Sequence, residues 1–151
     1  MRAVWLIVLA GLTACHTFDP KHPAVGKPSI EPAETAVWIW LDDGIWHVRW
    51  TAGPGRAHRF QGSVSGVAGS VAEITRTKLD LANTVALVGD TVQFDVESPT
   101  AEVPSGEGFD AKIVGGCARF DLYIDGHHKP EHIRLGPRKL PAHHVPFERC
   151  P

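Results

Sequence analysis

The stretch DGHHKPEH, positions 125 to 132, gathers three histidines and a glutamate in one connection. His127, His128 and His132 lie there with Glu131, and His143 and His144 follow in a second connection. Imidazole and carboxylate groups suit zinc, copper or nickel. Nine histidines in 151 residues give that chemistry weight. Against it, the spacing lacks the specificity of a zinc finger or a metalloprotease helix. Asp125-Gly126 and Pro130 are also ordinary turn residues. A periplasmic metal-binding protein using these five histidines is therefore the alternative reading.

A second constellation depends on strand register. Asp43-Gly44 fits a two-residue hairpin turn that needs positive φ. Pairing outward from it sets Leu41 opposite Trp46, Ile39 opposite Val48 and Val37 opposite Trp50, one wholly apolar face. The other face carries Trp38, Trp40, His47 and Arg49. Continuing as a hairpin across TAGPGRA sets Trp50 opposite His58, Val48 opposite Phe60 and Trp46 opposite Gly62, and adds Arg59 and Gln61 to that second face. Two indoles rimmed by donors make a platform for a sugar ring or an apolar segment. The same residues also fit a structural role, with Trp38 under Arg49 as a cation–π pair or both indoles covered by the C-terminal segment.

No catalytic signature accompanies these groups. GSVSG at 62–66 has its serines misplaced for a nucleophile elbow. There is no HExxH, phosphate loop or calcium-loop spacing. A hairpin at Gly115-Gly116 would set Asp110 opposite Asp121, a candidate acid–base pair. Their neighbours Lys112 and Arg119 make a solvated strand face the simpler reading. The expected activity is non-enzymatic binding or envelope structure.

These residues need a scaffold, and the period-two alternation from Ala36 onward supplies one. Strands are expected near 36–41, 45–51, 57–64, 70–75, 84–88, 91–97, 109–114, 117–124, 131–135 and 144–149. No window carries a convincing helical stripe. The expectation is one all-β domain, an antiparallel sandwich or small barrel of about 8 to 10 short strands over 36–151. Residues 16 to 35, with Pro20, Pro23, Pro28 and Pro32, read as a tether reaching about 60 Å if extended.

The start, MRAVWLIVLAGLTAC, has one basic residue, a short apolar run and small residues before a cysteine, as a secretory signal does. Leu12, Thr13, Ala14 and Cys15 resemble the lipobox of bacterial lipoproteins. The resemblance implies cleavage after residue 14, a diacylglycerol thioether on Cys15 and acylation of the new amino group. Two or three acyl chains make attachment effectively permanent. His16, rather than an aspartate, points to the periplasmic face of the outer membrane in a two-membrane bacterium. With Cys15 lipidated, Cys117 and Cys150 remain as an even pair in an oxidising compartment. A disulfide between them is the economical reading, two free thiols the other.

Gly44-x-Trp46 resembles the GxW of lipocalins over three residues and implies a ligand-carrying barrel as an alternative architecture. The formal charge of −2 gives no reason to expect nucleic acid as a partner. The expected partners are the membrane, through the anchor, and a cell-wall glycan, an envelope protein or an apolar small molecule. No cofactor is expected outside the metal alternative.

Overall fold

The computed structural model describes residues 27–55, 57–67, 69–77, 84–98, 107–136, 138–139 and 147–149. They form two packed sheets, an all-β sandwich. The strands are β1 (Thr35–Asp42), β2 (Ile45–Ala52), β3 (His58–Val67), β4 (Ser70–Thr77), β5 (Thr84–Val88) and β6 (Thr91–Ser98). Then come β7 (Glu107–Val114), β8 (Cys117–Ile124), β9 (Ile133–Leu135), β10 (Arg138–Lys139) and β11 (Phe147–Arg149). One sheet runs β10-β9-β1-β2-β7-β4 and the other β11-β8-β3-β6-β5. Every pair is antiparallel except β1 with β9. A 3-10 turn, Pro130–His132, replaces the start of the strand expected at 131.

The first hairpin has the expected register. Asp43 and Gly44 have φ of 47° and 74°, both in the left-handed region that a type I′ turn requires. Leu41 pairs with Trp46, Ile39 with Val48 and Val37 with Trp50.

The next two connections do not form the expected hairpins. β2 pairs not with β3 but with β7, setting Trp46 beside Ala111, Val48 beside Phe109 and Trp50 beside Glu107. The chain between β2 and β3 crosses from one sheet to the other. Gly115-Gly116 likewise carries the chain from β7 in one sheet to β8 in the other. Asp110 and Asp121 are therefore not opposite each other. The reason lies in the period-two signal, which fixes the side of a strand that faces the core but not its neighbour. A crossing connection keeps both inward faces inward as well as a hairpin does.

The inward parity itself holds. Val37, Ile39, Trp46, Val48 and Trp50 of one sheet and Phe60, Val64, Phe94, Phe120 and Leu122 of the other belong to one buried cluster. Trp50 is its hub, with Phe60, Phe94 and Phe109 at ring-centroid distances of 6.3, 5.8 and 6.3 Å. Trp46 meets Phe120 edge-on at 5.2 Å. Fully burying each such side chain contributes roughly 1.5–3 kcal/mol. Trp50 Nε1 donates to Glu107 Oε2 at 3.2 Å, so the indole reaches a partner inside the core.

The folded part begins before the first strand. Pro28 is buried, and Ile30 packs on Ala36, Trp38 and Trp40 at the outer face of the six-stranded sheet. The last part of the expected tether thus belongs to the domain.

Candidate functional site

Trp38 and Trp40 point away from the main core, as the register requires, but each is only 4% exposed. They do not form an open platform. Trp38 Nε1 donates to Thr51 Oγ1 at 2.9 Å. Trp40 stacks on His47 and lies under the Arg49 guanidinium, 5.5 Å from its ring centroid. Arg49 donates to the carbonyls of Val48 and Phe109 and to Asp110 Oδ1, at 2.9, 2.7 and 2.7 Å. Asp110 Oδ1 also accepts from His47 Nδ1 at 2.8 Å. The donors expected to meet a ligand are thus engaged with protein. On the neighbouring strand Arg134 pairs with Glu34, and desolvation holds its guanidinium below the usual arginine range.

Arg59 and Gln61 sit elsewhere. They lie on β3, on the outer face of the five-stranded sheet, because β3 never pairs with β2. There Gln61 lines an open concavity of about 750 Å³, beside the Arg59–Asp95 pair. Its floor is two cross-strand rows. One runs Tyr123, Gln61, Asp95 and Thr84 across β8, β3, β6 and β5. The next runs Asp121, Ser63, Gln93 and Ala86. Val88 forms an apolar end and is 55% exposed.

The carboxylates of this groove are hydrogen-bonded within the protein. Arg59 donates to Asp95 through Nε at 2.7 Å and Nη2 at 2.6 Å, and Gln61 Nε2 donates at 3.3 Å. The hydrogen bonds from Arg59 hold the Asp95 carboxyl below the usual carboxylate range, and Asp95 raises the guanidinium in turn. At the β8 end Asp121 accepts from His128 Nε2 at 2.9 Å and from the Tyr123 hydroxyl at 3.4 Å. The His128 ring lies 4.2 Å from that of Tyr123. Desolvation, then the Asp121 charge, push the Tyr123 phenol above its ordinary range.

Gly62 lies under the groove between the two rows. A Cβ there would come within 2.1 Å of the Asp121 carbonyl oxygen. Only glycine lets β3 and β8 approach this closely and keep Ser63 level with Asp121.

The histidine-rich connection divides among separate tasks. His127 closes the turn through paired backbone hydrogen bonds with Ile124, at 2.9 and 3.2 Å. His128 lies against Asp121 and Tyr123, and His132 Nδ1 meets the Thr35 carbonyl at 2.6 Å. Among the described residues no group of three or more His, Cys, Asp or Glu side chains converges to hold a metal. His143 and His144 lie outside the described residues.

At the same end of the sandwich His58 Nε2 lies 3.3 Å from Thr35 Oγ1, and Nδ1 lies 3.0 Å from Asp125 Oδ2. The order hydroxyl, imidazole, carboxylate is that of an activated nucleophile. A methyl group on Gly53 would lie 3.0 Å from this hydroxyl, which leaves little room for a substrate. The chain of bonds acts as a strut between the sheets.

Cys117 opens β8. Cys150, like Cys15, lies outside the described residues. No helix among the described residues is long and apolar enough to cross a membrane.

Sequence reasoning reached Gln61, Arg59 and His128 but assigned them to other sites. It missed Ser63, Gln93, Asp95, Asp121 as a groove residue, and Tyr123. Their signal is the uncharged or paired outward parity of β3, β6 and β8. Reading it requires knowing that these strands are neighbours, and they are not consecutive.

The described residues thus define a two-sheet β-sandwich with an open groove on the five-stranded sheet. No family model, curated protein or solved structure matches it.

Proposed function

We propose that this is a lipid-anchored envelope protein, held through Cys15 at the periplasmic face of the outer membrane, whose β-sandwich is a non-enzymatic binding module. Its ligand site is the groove on the five-stranded sheet. One observation carries the reading: the two outer faces of the sandwich are treated differently. On the six-stranded sheet the polar groups beside Trp38 and Trp40 are bonded to protein, and Ile30 packs over the indoles. On the five-stranded sheet amides, hydroxyls and an aromatic ring line an open concavity.

The tether fits this arrangement. Residues leading into β1 pack on the six-stranded sheet, opposite the groove, so an anchor on that side leaves the groove clear. A disulfide between Cys117 and Cys150 belongs to the same reading. The β11–β8 register, which sets Phe147 beside Phe120 and Arg149 beside Ala118, supports this pairing.

Site-directed photo-crosslinking in intact cells tests the proposal. A benzophenone side chain at Gln93 should capture one predominant envelope component, while one at Lys112, exposed on the other sheet, should not. Equal patterns at both positions, or no adduct at Gln93, would reject the groove as the site. Cys15→Ser should give an unprocessed precursor or a soluble protein. A membrane-bound and correctly cleaved variant would refute the anchor.

A further inference from the structure

We infer that the groove takes an uncharged, hydroxyl-rich oligosaccharide, with one ring against Tyr123 and hydroxyls along Gln61, Ser63, Gln93 and Asp95. The inference rests on the groove being the binding site. It is carried by the chemistry of the rows.

The carboxylates of the groove are already hydrogen-bonded within the protein. Asp95 holds Arg59 in a two-point pair, and Asp121 accepts from His128 and Tyr123. An anionic ligand would surrender hydration and meet carboxylates rather than a free cation. The remaining polar groups are amides and hydroxyls that donate and accept, as sugar hydroxyls do, set among apolar Ala86, Val88 and Phe94. A purely apolar ligand would cover these groups and leave them unsatisfied.

An extended peptide is also a poor fit. Strand addition needs a free sheet edge. The groove floor is a sheet face, where β3 is paired on both sides by β6 and β8, and the edge strand β5 lies only at its rim. What the floor offers is side chains, with Tyr123 at one end and Ala86 and Val88 at the other. Sugar rings present apolar C–H faces that pack on such surfaces while their rims hydrogen-bond. From β8 to β5 the rows cross three strand spacings, about 14 Å, which accommodates a short run of linked rings.

Tyr123 is the only tyrosine in the chain, so fluorotyrosine labelling gives a single reporter inside the groove. The full-length protein in detergent micelles would be titrated with N-acetylchitotetraose, cellotetraose and maltotetraose, and with a sulfated tetrasaccharide as the charged control. A saturable fluorine shift with at least one neutral saccharide, and none with the sulfated one, is expected. By calorimetry Tyr123→Ala should weaken that binding roughly tenfold, and Tyr123→Phe less than about threefold, because the ring is kept. No saturable shift with any neutral saccharide, an equal response to the sulfated one, or unchanged affinity in Tyr123→Ala would each overturn the assignment. If the Gln93 crosslink survives while every saccharide fails, only the ligand class falls and the groove stands.

Discussion

His47 lies face to face with Trp40, ring centroids 4.8 Å apart and planes 15° from parallel. Asp110 fixes this geometry by accepting from His47 Nδ1 and from Arg49, whose guanidinium covers the same indole. An aromatic face enclosed in this way serves stability. Trp38→Phe and Trp40→Phe should therefore each cost about 1–3 kcal/mol, comparable with Trp46→Phe and Trp50→Phe. Trp38→Phe additionally removes the donor to Thr51. Denaturant titration of the four variants checks the magnitudes. Acrylamide quenching should find none of these four indoles freely accessible; ready quenching of Trp38 or Trp40 would contradict their burial.

Glycine-to-alanine changes should separate two kinds of glycine. At Gly108 a Cβ would lie 2.0 Å from the Val48 carbonyl oxygen, an atom that also accepts from Arg49. Neither the backbone nor the guanidinium can yield cheaply, so Gly108→Ala should destabilise by on the order of 3 kcal/mol. Gly89 has nothing within 4 Å of a built Cβ, and Gly89→Ala should cost only the strain of its positive φ, about 1 kcal/mol. Thermal melts showing equal losses would contradict the close approach at Gly108.

How far the sequence reaches can be judged from Trp50 and Gly62. The inward parity of Trp50 was legible, because period two places it with Val48 and Trp46 on one face. Its packing against Phe94 and Phe109 was not, because that depends on strands far apart in sequence facing each other across the sandwich. Gly62 was legible as a place where room is needed. It was assigned to the wrong neighbour, Trp46, since a crossing between sheets and a hairpin leave the same alternation. The groove followed the same rule: Gln61 was recognisable as an outward polar residue, but Tyr123 and Asp95 join it only through the order β8-β3-β6.

The assignment of the disulfide has a direct check. Non-reducing peptide mapping should recover a peptide linking Cys117 to Cys150. The Cys117→Ser/Cys150→Ser double variant should lose roughly 3–4 kcal/mol, the loop-closure contribution for about 34 residues. A map that joins Cys117 to any other cysteine would refute the pairing.

Asp95 should leave an acid signature. Its folded pKa is depressed by Arg59, so its contribution is present above the ordinary carboxylate pKa and is lost as pH falls through the lower folded value. The pair is largely solvent-exposed, and Asp95→Asn should cost no more than about 1 kcal/mol near neutrality. The wild-type advantage over the variant should disappear in the most acidic part of the stability curve. An advantage that persists at pH values below the folded pKa would place it outside the ion pair.

Tyr123 supplies the corresponding alkaline test. Its phenol is pushed up first by desolvation and then by the Asp121 charge, so the folded state favours the neutral form. The linked stability is present below the ordinary tyrosine pKa of about 10 and is lost as pH rises through the higher folded value. Because the chain has no other tyrosine, absorbance of the tyrosinate reports this one group. Its midpoint in the folded protein should lie above that in denaturant. Asp121→Asn should bring it part of the way down, since the carboxylate is removed while the desolvation stays. If the midpoint in the folded protein equals that of the unfolded chain, the phenol is as hydrated as in a free peptide. Tyr123 would then not lie against His128 and Asp121 at the end of the groove. If Asp121→Asn leaves a raised midpoint unmoved, the ring is desolvated without sensing that carboxylate, and the contact between Tyr123 and Asp121 at this end of the groove would be wrong.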